Sequence, residues 1–262
     1  MERARMLPDG IELIDLPIGA HRSMLAAYLV RGRETALIDT GPLTAFEALS
    51  YGLRRRGIHR GVLNHVIFTH THIDHAGAAR PISDLFPEAT IWVHPSARRH
   101  LEDPTIRQQE AAMIHGRREA ALLFGPMGPV PRHRIRALAD GGSVDLGDRR
   151  LDVMFTPGHA DDHISLVDSD SRAVVAGEAL GIRFSEVGIV RPSMPPPEAD
   201  VSRALHSISV IAARKPEVLL LSHFGPVPDA EAMCQAAAQE LTRWSDVVRE
   251  ALSYRQPGED DG

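Results

Sequence analysis

Apolar residues in the first forty positions fall into short segments bounded by Gly, Pro or charged residues. IELIDLPI (11–18), MLAAYLVRG (24–32) and TALIDTG (35–41) read as strands. The pattern turns helical over 43–57 and returns to an apolar strand at NHVIFTH (64–70). A helix is expected from His75 to Phe86, then a strand TIWVH (90–94). A helical stretch follows over 96–124, with apolar positions such as Ile106, Met113 and Leu122. Two hairpin-like stretches come next: 143–159, turning at Leu-Gly-Asp, and 163–180, turning at Asp-Ser-Asp-Ser. Residues 198–214 read as helix, EVLLLSH (217–223) as strand and 229–253 as a last helix. On that helix Leu241, Trp244, Val248 and Leu252 share one face. Pro195, Pro196 and Pro197 mark a loop, and 256–262 reads as a disordered tail. With no linker visible, one domain over 1–255 is expected.

The two halves echo each other. TALIDTG and RAVVAGE are both strands that end in an acid beside Gly. HVIFTHTH and EVLLLSHFG are both apolar strands that end in Ser or Thr and then His. Two strand-rich units, each with helices, would stack as a four-layer sandwich.

Composition narrows the function classes. Of 262 residues, 43 % are hydrophobic and 24 % charged, which suits a globular chain with a sizeable core. The net charge of −6 argues against a broad nucleic-acid or anionic-membrane footprint. No apolar run approaches the ~20 residues of a membrane helix, and MERARMLPDG lacks the apolar core of a signal peptide. A single cysteine, Cys234, leaves no internal disulfide framework and no multi-thiolate site. A cytoplasmic protein acting on a small molecule is expected, without nucleic acid or membrane, and compatible with a homo-oligomer.

Fourteen histidines are the unusual number. The densest run is Thr69-His70-Thr71-His72-Ile73-Asp74-His75. His70 and His72 are two apart at a strand end, so their side chains leave on one side. Asp74 and His75 follow into the loop and the helix start. Neutral imidazoles and a carboxylate in so small a volume are the ligand set of zinc or a similar divalent ion. His159 closes VMFTPGH, His223 closes EVLLLSH, and Glu178 follows AVVAG.

Together these residues resemble the metallo-β-lactamase fold superfamily of metal-dependent hydrolases, in the family's order from Asp39 to His223. The matching motifs are Asp39 in LIDTG, the run His70, His72, Asp74, His75, then Pro157-Gly158-His159, Gly177-Glu178 and His223. The resemblance implies an α/β fold, the four-layer αββα sandwich with two divalent metal ions at one sheet edge. It adds a helical insert at about 96–134. His70, His72 and His159 would hold one ion; Asp74, His75 and His223 the other. Zinc is the expected metal, and iron or manganese suits the same donors. Asp39 would orient a ligand without binding metal. The family has Asp where Glu178 stands. Glu178 is one methylene longer, and three arrangements stay open: it bridges both ions, binds one, or turns away and leaves a single-metal site.

Two ions so held lower the pKa of a water and generate a hydroxide that attacks an electrophilic carbonyl or phosphorus. Asp74 would orient that nucleophile or carry a proton to the leaving atom. The expected activity is hydrolysis of a small ester, thioester or lactone. Alternatives are a mononuclear-iron sulfur dioxygenase and a metal-binding protein with little turnover. Candidate pocket walls are 18–24, the insert, and 180–197. His21, Arg183 and Arg191 are candidates for a substrate carboxylate. Gly181 stands where acyl-homoserine lactonases usually carry Tyr, and the basic C-terminal pattern of glyoxalase II is not evident.

Overall fold

The computed structural model describes residues 6–184 and 188–254; the expected tail, 256–262, lies outside them. Two six-stranded sheets face each other. The first runs in chain order: β1 (Ile11–Ile18), β2 (His21–Arg31), β3 (Thr35–Ile38), β4 (Leu63–Ile67), β5 (Thr90–Val93) and β6 (Ile135–Ala137). The second contains β7 (Ser143–Asp145), β8 (Arg150–Phe155), β9 (Ile164–Asp168), β10 (Val174–Gly177), β13 (Leu219–Leu221) and β14 (Gly225–Val227). Its order is β14-β13-β10-β9-β8-β7. A small hairpin, β11 (Ile182–Phe184) with β12 (Ile189–Arg191), stands beside it.

Alternation along β2 shows how the layers form. Leu25, Ala27 and Leu29 face outward onto helices, in a core with Leu49, Leu53 and Ile82. Ala26, Tyr28 and Val30 face inward and meet Leu166, Val175 and Leu220 of the second sheet. The second sheet's outer face, with Val174, Ala176 and Leu219, packs on the last two helices through Ile208, Ile211, Met233 and Leu241. Helix, sheet, sheet, helix is the expected αββα sandwich. Cys234 is buried in this third core.

Helices α1 (Phe46–Arg55) and α7 (Val201–Ala213) sit where expected, and Asp200 caps α7 by accepting from the Arg203 amide at 3.0 Å. The helix expected over 75–86 is two, α2 (Ile73–Ala76) and α3 (Ala79–Leu85). Restarting at Ala79 puts Pro81 in a first turn, where no amide hydrogen is needed. The insert is three helices: α4 (Arg98–Glu102), α5 (Thr105–His115) and α6 (Arg117–Phe124). Pro104 and Gly116, at φ +82°, break it. Phe124 and Met127 are buried in the body, whereas Met113 and Leu122 are exposed. On α8 (Ala230–Ser253) only Leu241 of the expected apolar face is buried; Trp244, Val248 and Leu252 are exposed. The stretch 180–197, expected as a pocket wall, contains the β11–β12 hairpin. None of the helices described is long and apolar enough to cross a membrane.

Candidate metal centre

Two parallel strand pairs aim the site. β3 runs parallel to β4, and β10 parallel to β13. The chain leaves their carboxyl ends at Asp39, at His70–His75, at Glu178 and at His223. His159 comes from the loop after β8. All seven candidate ligands meet at one edge of the sandwich, as two groups that share Glu178. One is His70, His72, His159 and Glu178; the other is Asp74, His75, Glu178 and His223. Within each group the donor atoms lie within 4.8 Å of one another.

Glu178 is central. Its Oε2 is 2.9 Å from His159 Nε2, 3.2 Å from His75 Nε2 and 3.5 Å from His70 Nε2. Its Oε1 is 3.3 Å from His223 Nε2. Asp74 Oδ2 is 3.3 Å from both His75 Nε2 and His223 Nε2. Of the three arrangements open for the longer side chain, the carboxylate here lies between both groups.

Whether this set suits divalent ions can be judged from its unsatisfied nitrogens. His159 Nε2 lies 3.0 Å from His72 Nδ1 and 3.2 Å from His70 Nε2. Burial first, then the neighbouring histidines, push His70 and His72 well below the ordinary imidazole value. Both rings therefore favour the neutral form. The buried Nε2 of His75 faces the Glu178 and Asp74 carboxylates at 3.2 and 3.3 Å without the alignment of a hydrogen bond. Burial would raise the Glu178 carboxyl, but His159 and His223 beside it hold it well below the carboxylate range. Burial would likewise raise Asp74, and His75 with His223 overcome it. Burial would lower His75 and His159, but the carboxylates beside them, Asp74 and Glu178, raise both above the ordinary imidazole value. Buried imidazoles packed around ionised carboxylates are a donor set for zinc-like cations, which would displace those protons.

The outer nitrogens are fixed by the fold. His159 Nδ1 pairs with the Ser193 carbonyl at 2.8 Å, and His223 Nδ1 with the Met24 carbonyl at 3.0 Å. These contacts turn Nε2 of both rings toward the centre. Asp39, at φ +58°, accepts from the Thr69 amide and hydroxyl at 2.8 Å each and from Ser222 at 3.2 Å. It faces His75 Nδ1 at 3.4 Å.

The centre floors a cavity of about 780 Å³. Its walls come from the insert, from the β1–β2 turn, from the β11–β12 hairpin and from residues 192–196. Arg183 and Arg191 line it. His21 is exposed and is not among the lining residues; its neighbour Arg22 is.

Sequence reasoning missed two supports. His163 Nε2 accepts from the Glu178 amide at 3.0 Å, while its Nδ1 pairs with Thr156 Oγ1 at 2.8 Å. Burial and then His159 lower this ring to about 3, so it stays neutral. Its only signal was a second histidine four residues after Pro-Gly-His. Arg107 of α5, 1 % exposed, meets Asp162 at 3.2 Å, Glu110 at 2.8 Å and Glu198 at 3.1 Å, and donates to Thr71 Oγ1 at 3.1 Å. Nothing in the sequence set this arginine apart.

Residues 24–223 match the sequence profile of the Metallo-beta-lactamase superfamily. Among curated proteins, the chain is similar to the probable metallo-hydrolase YflN of Bacillus subtilis: 31 % identical, covering 63 % of this chain and 66 % of that one. It is also similar to the probable metallo-hydrolase YqjP of the same organism, 26 % identical over 95 % of this chain and 82 % of that one. Among solved structures, the metallo-beta-lactamase superfamily protein ST1585 from Sulfolobus tokodaii superposes with a TM-score of 0.74. That match is 21 % identical and covers 98 % of this chain and 92 % of that one.

Proposed function

Because the chain belongs to the metallo-beta-lactamase superfamily, we propose that it is a hydrolase that binds two divalent ions and cleaves a small ester, thioester or lactone. The observation that carries this reading is the convergence of five histidines with Asp74 and Glu178 on the floor of an open cavity. His70, His72 and His159 would hold one ion, and Asp74, His75 and His223 the other, with Glu178 between them. When bound, such ions supply Lewis acidity, lowering the pKa of a water towards neutrality and polarising the bond to be cleaved.

The chain's own groups do the rest. Ser193 and Met24 carbonyls and Asp39 hold the rings of His159, His223 and His75 in register. Asp74 uses Oδ2 on His75 and His223 and faces the cavity, so its other oxygen can hold a proton and pass it to the departing atom. In the net reaction water adds to the carbonyl carbon and the bond from carbon to the oxygen or sulfur breaks. One proton ends on that leaving atom.

Elemental analysis and a panel of esters, thioesters, lactones and phosphodiesters test the reading. Divalent metal in the protein, turnover abolished by a chelator and restored by zinc, would support it. His72→Ala and Asp74→Ala should each abolish turnover while leaving the fold largely intact. Near-wild-type rates in either variant would overturn the mechanism. One iron per chain with oxygen consumption would replace it with a dioxygenase, and bound metal with no turnover on any substrate would replace it with a binding protein.

A further inference from the structure

The cavity carries two features that the ligand cluster does not use. One is an apolar wall: Ile114 and Phe124 from the insert, Phe184 from β11, and Met194. The other is cationic. Arg22, Arg183 and Arg191 line the same cavity, and the acids among its described lining residues are engaged elsewhere. Glu110 is held by Arg107, while Asp74 and Glu178 are held by histidines. Among the described residues neither Arg183 nor Arg191 forms an ion pair, and Arg22 approaches Asp15 only at 4.0 Å.

The hairpin register separates the two hairpin arginines. Arg191 pairs with Ile182, and Arg183 with Val190. Residues directly opposite share a face, so Arg191 stands with Ile182 and Phe184, and Arg183 with Val190 on the other side. Val190 is buried in the core beneath α8. Arg191 is therefore the arginine that stands with the apolar lining, its guanidinium 5.7 Å from the Phe184 ring centroid. Overall the chain carries a net charge of −6, while the described lining of this cavity has four arginines against three acids. A purely apolar substrate would gain nothing from the arginines, and a small hydrophilic one would leave the apolar wall wet.

We propose that the substrate is an anionic amphiphile: an apolar acyl ester or thioester that also bears a carboxylate or phosphate, with the acyl part on the insert wall and the anion on Arg191. This rests on the hydrolase reading above and narrows it. Arg191 acts here as a specificity residue.

Two matched pairs of compounds test it. The first is S-octanoyl-3-mercaptopropionate against S-octanoyl-3-mercaptopropionamide, with S-octanoyl-2-mercaptoethyl phosphate as the phosphate arm. These differ only in the charged group and report turnover. The second is the non-hydrolysable 3-(octylthio)propionate against its amide, measured by calorimetry on the protein as purified and after chelation. The anionic member should be favoured by about 10-fold or more in kcat/KM and in Kd, in both metal states. Arg191→Ala should shrink that ratio to within about 3-fold, and Arg191→Lys should restore part of it. Arg172→Ala, on a distant turn, controls for overall charge and should leave the ratio intact. Equal handling of charged and neutral members, or an anion preference that survives Arg191→Ala, overturns the inference. A binding preference without hydrolysis of any member sinks the hydrolase reading and leaves the anion site standing.

Discussion

Glu178 reaches the centre because the residue before it can bend. Gly177 has φ +56°, and a Cβ there would sit 2.4 Å from His163 Nε2, so only glycine permits the close approach. The His163 contact to the Glu178 amide then fixes where the side chain starts. The extra methylene carries the carboxylate in among His70, His75, His159 and His223. Glu178→Asp withdraws the oxygens toward the backbone without removing them. Bound metal should be retained, with affinity about 10- to 100-fold weaker in chelator competition. Elemental analysis showing a changed number of ions per chain would contradict a shared role for this residue. The ligands themselves were legible in the sequence because three histidines and an aspartate fall within six residues. His163 was not, because a lone histidine opening a strand looks like any core residue, and its contact to Glu178 depends on β9 and β10 pairing.

Elements attach to the site through one buried arginine. Arg107 projects from α5 into a pocket of carboxylates from two other segments: Asp162 in the loop after His159, and Glu198 ahead of α7. The same Asp162 accepts from the Thr71 amide and hydroxyl, between His70 and His72. The insert is thus tied to two of the ligand-bearing loops through charge, not only through the burial of Phe124. Removing one partner of a buried ionic network strands the others, which costs about 3–5 kcal/mol. Arg107→Met should lower stability by that order in urea unfolding, and adding Asp162→Asn should recover part of the loss. An Arg107→Met protein as stable as wild type would show that the network contributes nothing net. The sequence pattern foresaw helix over 96–124 but not its division, because hydrophobic spacing alone does not register the breaks at Pro104 and Gly116. It missed the β11–β12 hairpin because its strands are three residues each and follow a glycine, too short for alternation to show.

Across the whole molecule the two half-sequence echoes have a common cause. In each sheet a strand ending near an acid runs parallel to a strand ending in histidine, joined by a crossover through α1 or α7. Parallel pairing puts both carboxyl ends on one edge, so each half delivers its polar residues to the same place. The echo was visible as a few residues, but the pairing that gives it meaning is long-range. The opposite edge must hold the sheets together without the ligand cluster, and there Arg149, in the β7–β8 turn, grips Asp168 at the end of β9. Its Nε is 2.5 Å from Oδ1 and its Nη2 2.7 Å from Oδ2. Its Nη1 also donates to the Asp9 and Arg31 carbonyls, at 3.0 and 3.2 Å, on the first sheet's side. Burial would raise the Asp168 carboxyl, but the hydrogen bonds from Arg149 and Ser171 outweigh it and hold it below the ordinary value. A carboxyl whose folded pKa is depressed stabilises the fold fully above its unfolded pKa, ~3.9. That contribution is lost as pH falls through the lower folded value. Asp168→Asn should therefore cost about 3 kcal/mol near pH 7, with the gap from wild type closing below about pH 4. Urea unfolding at pH 7 and pH 3 measures both arms. A gap that stays constant across that range would mean that the aspartate contributes by shape and neutral hydrogen bonding, not by its charge on Arg149.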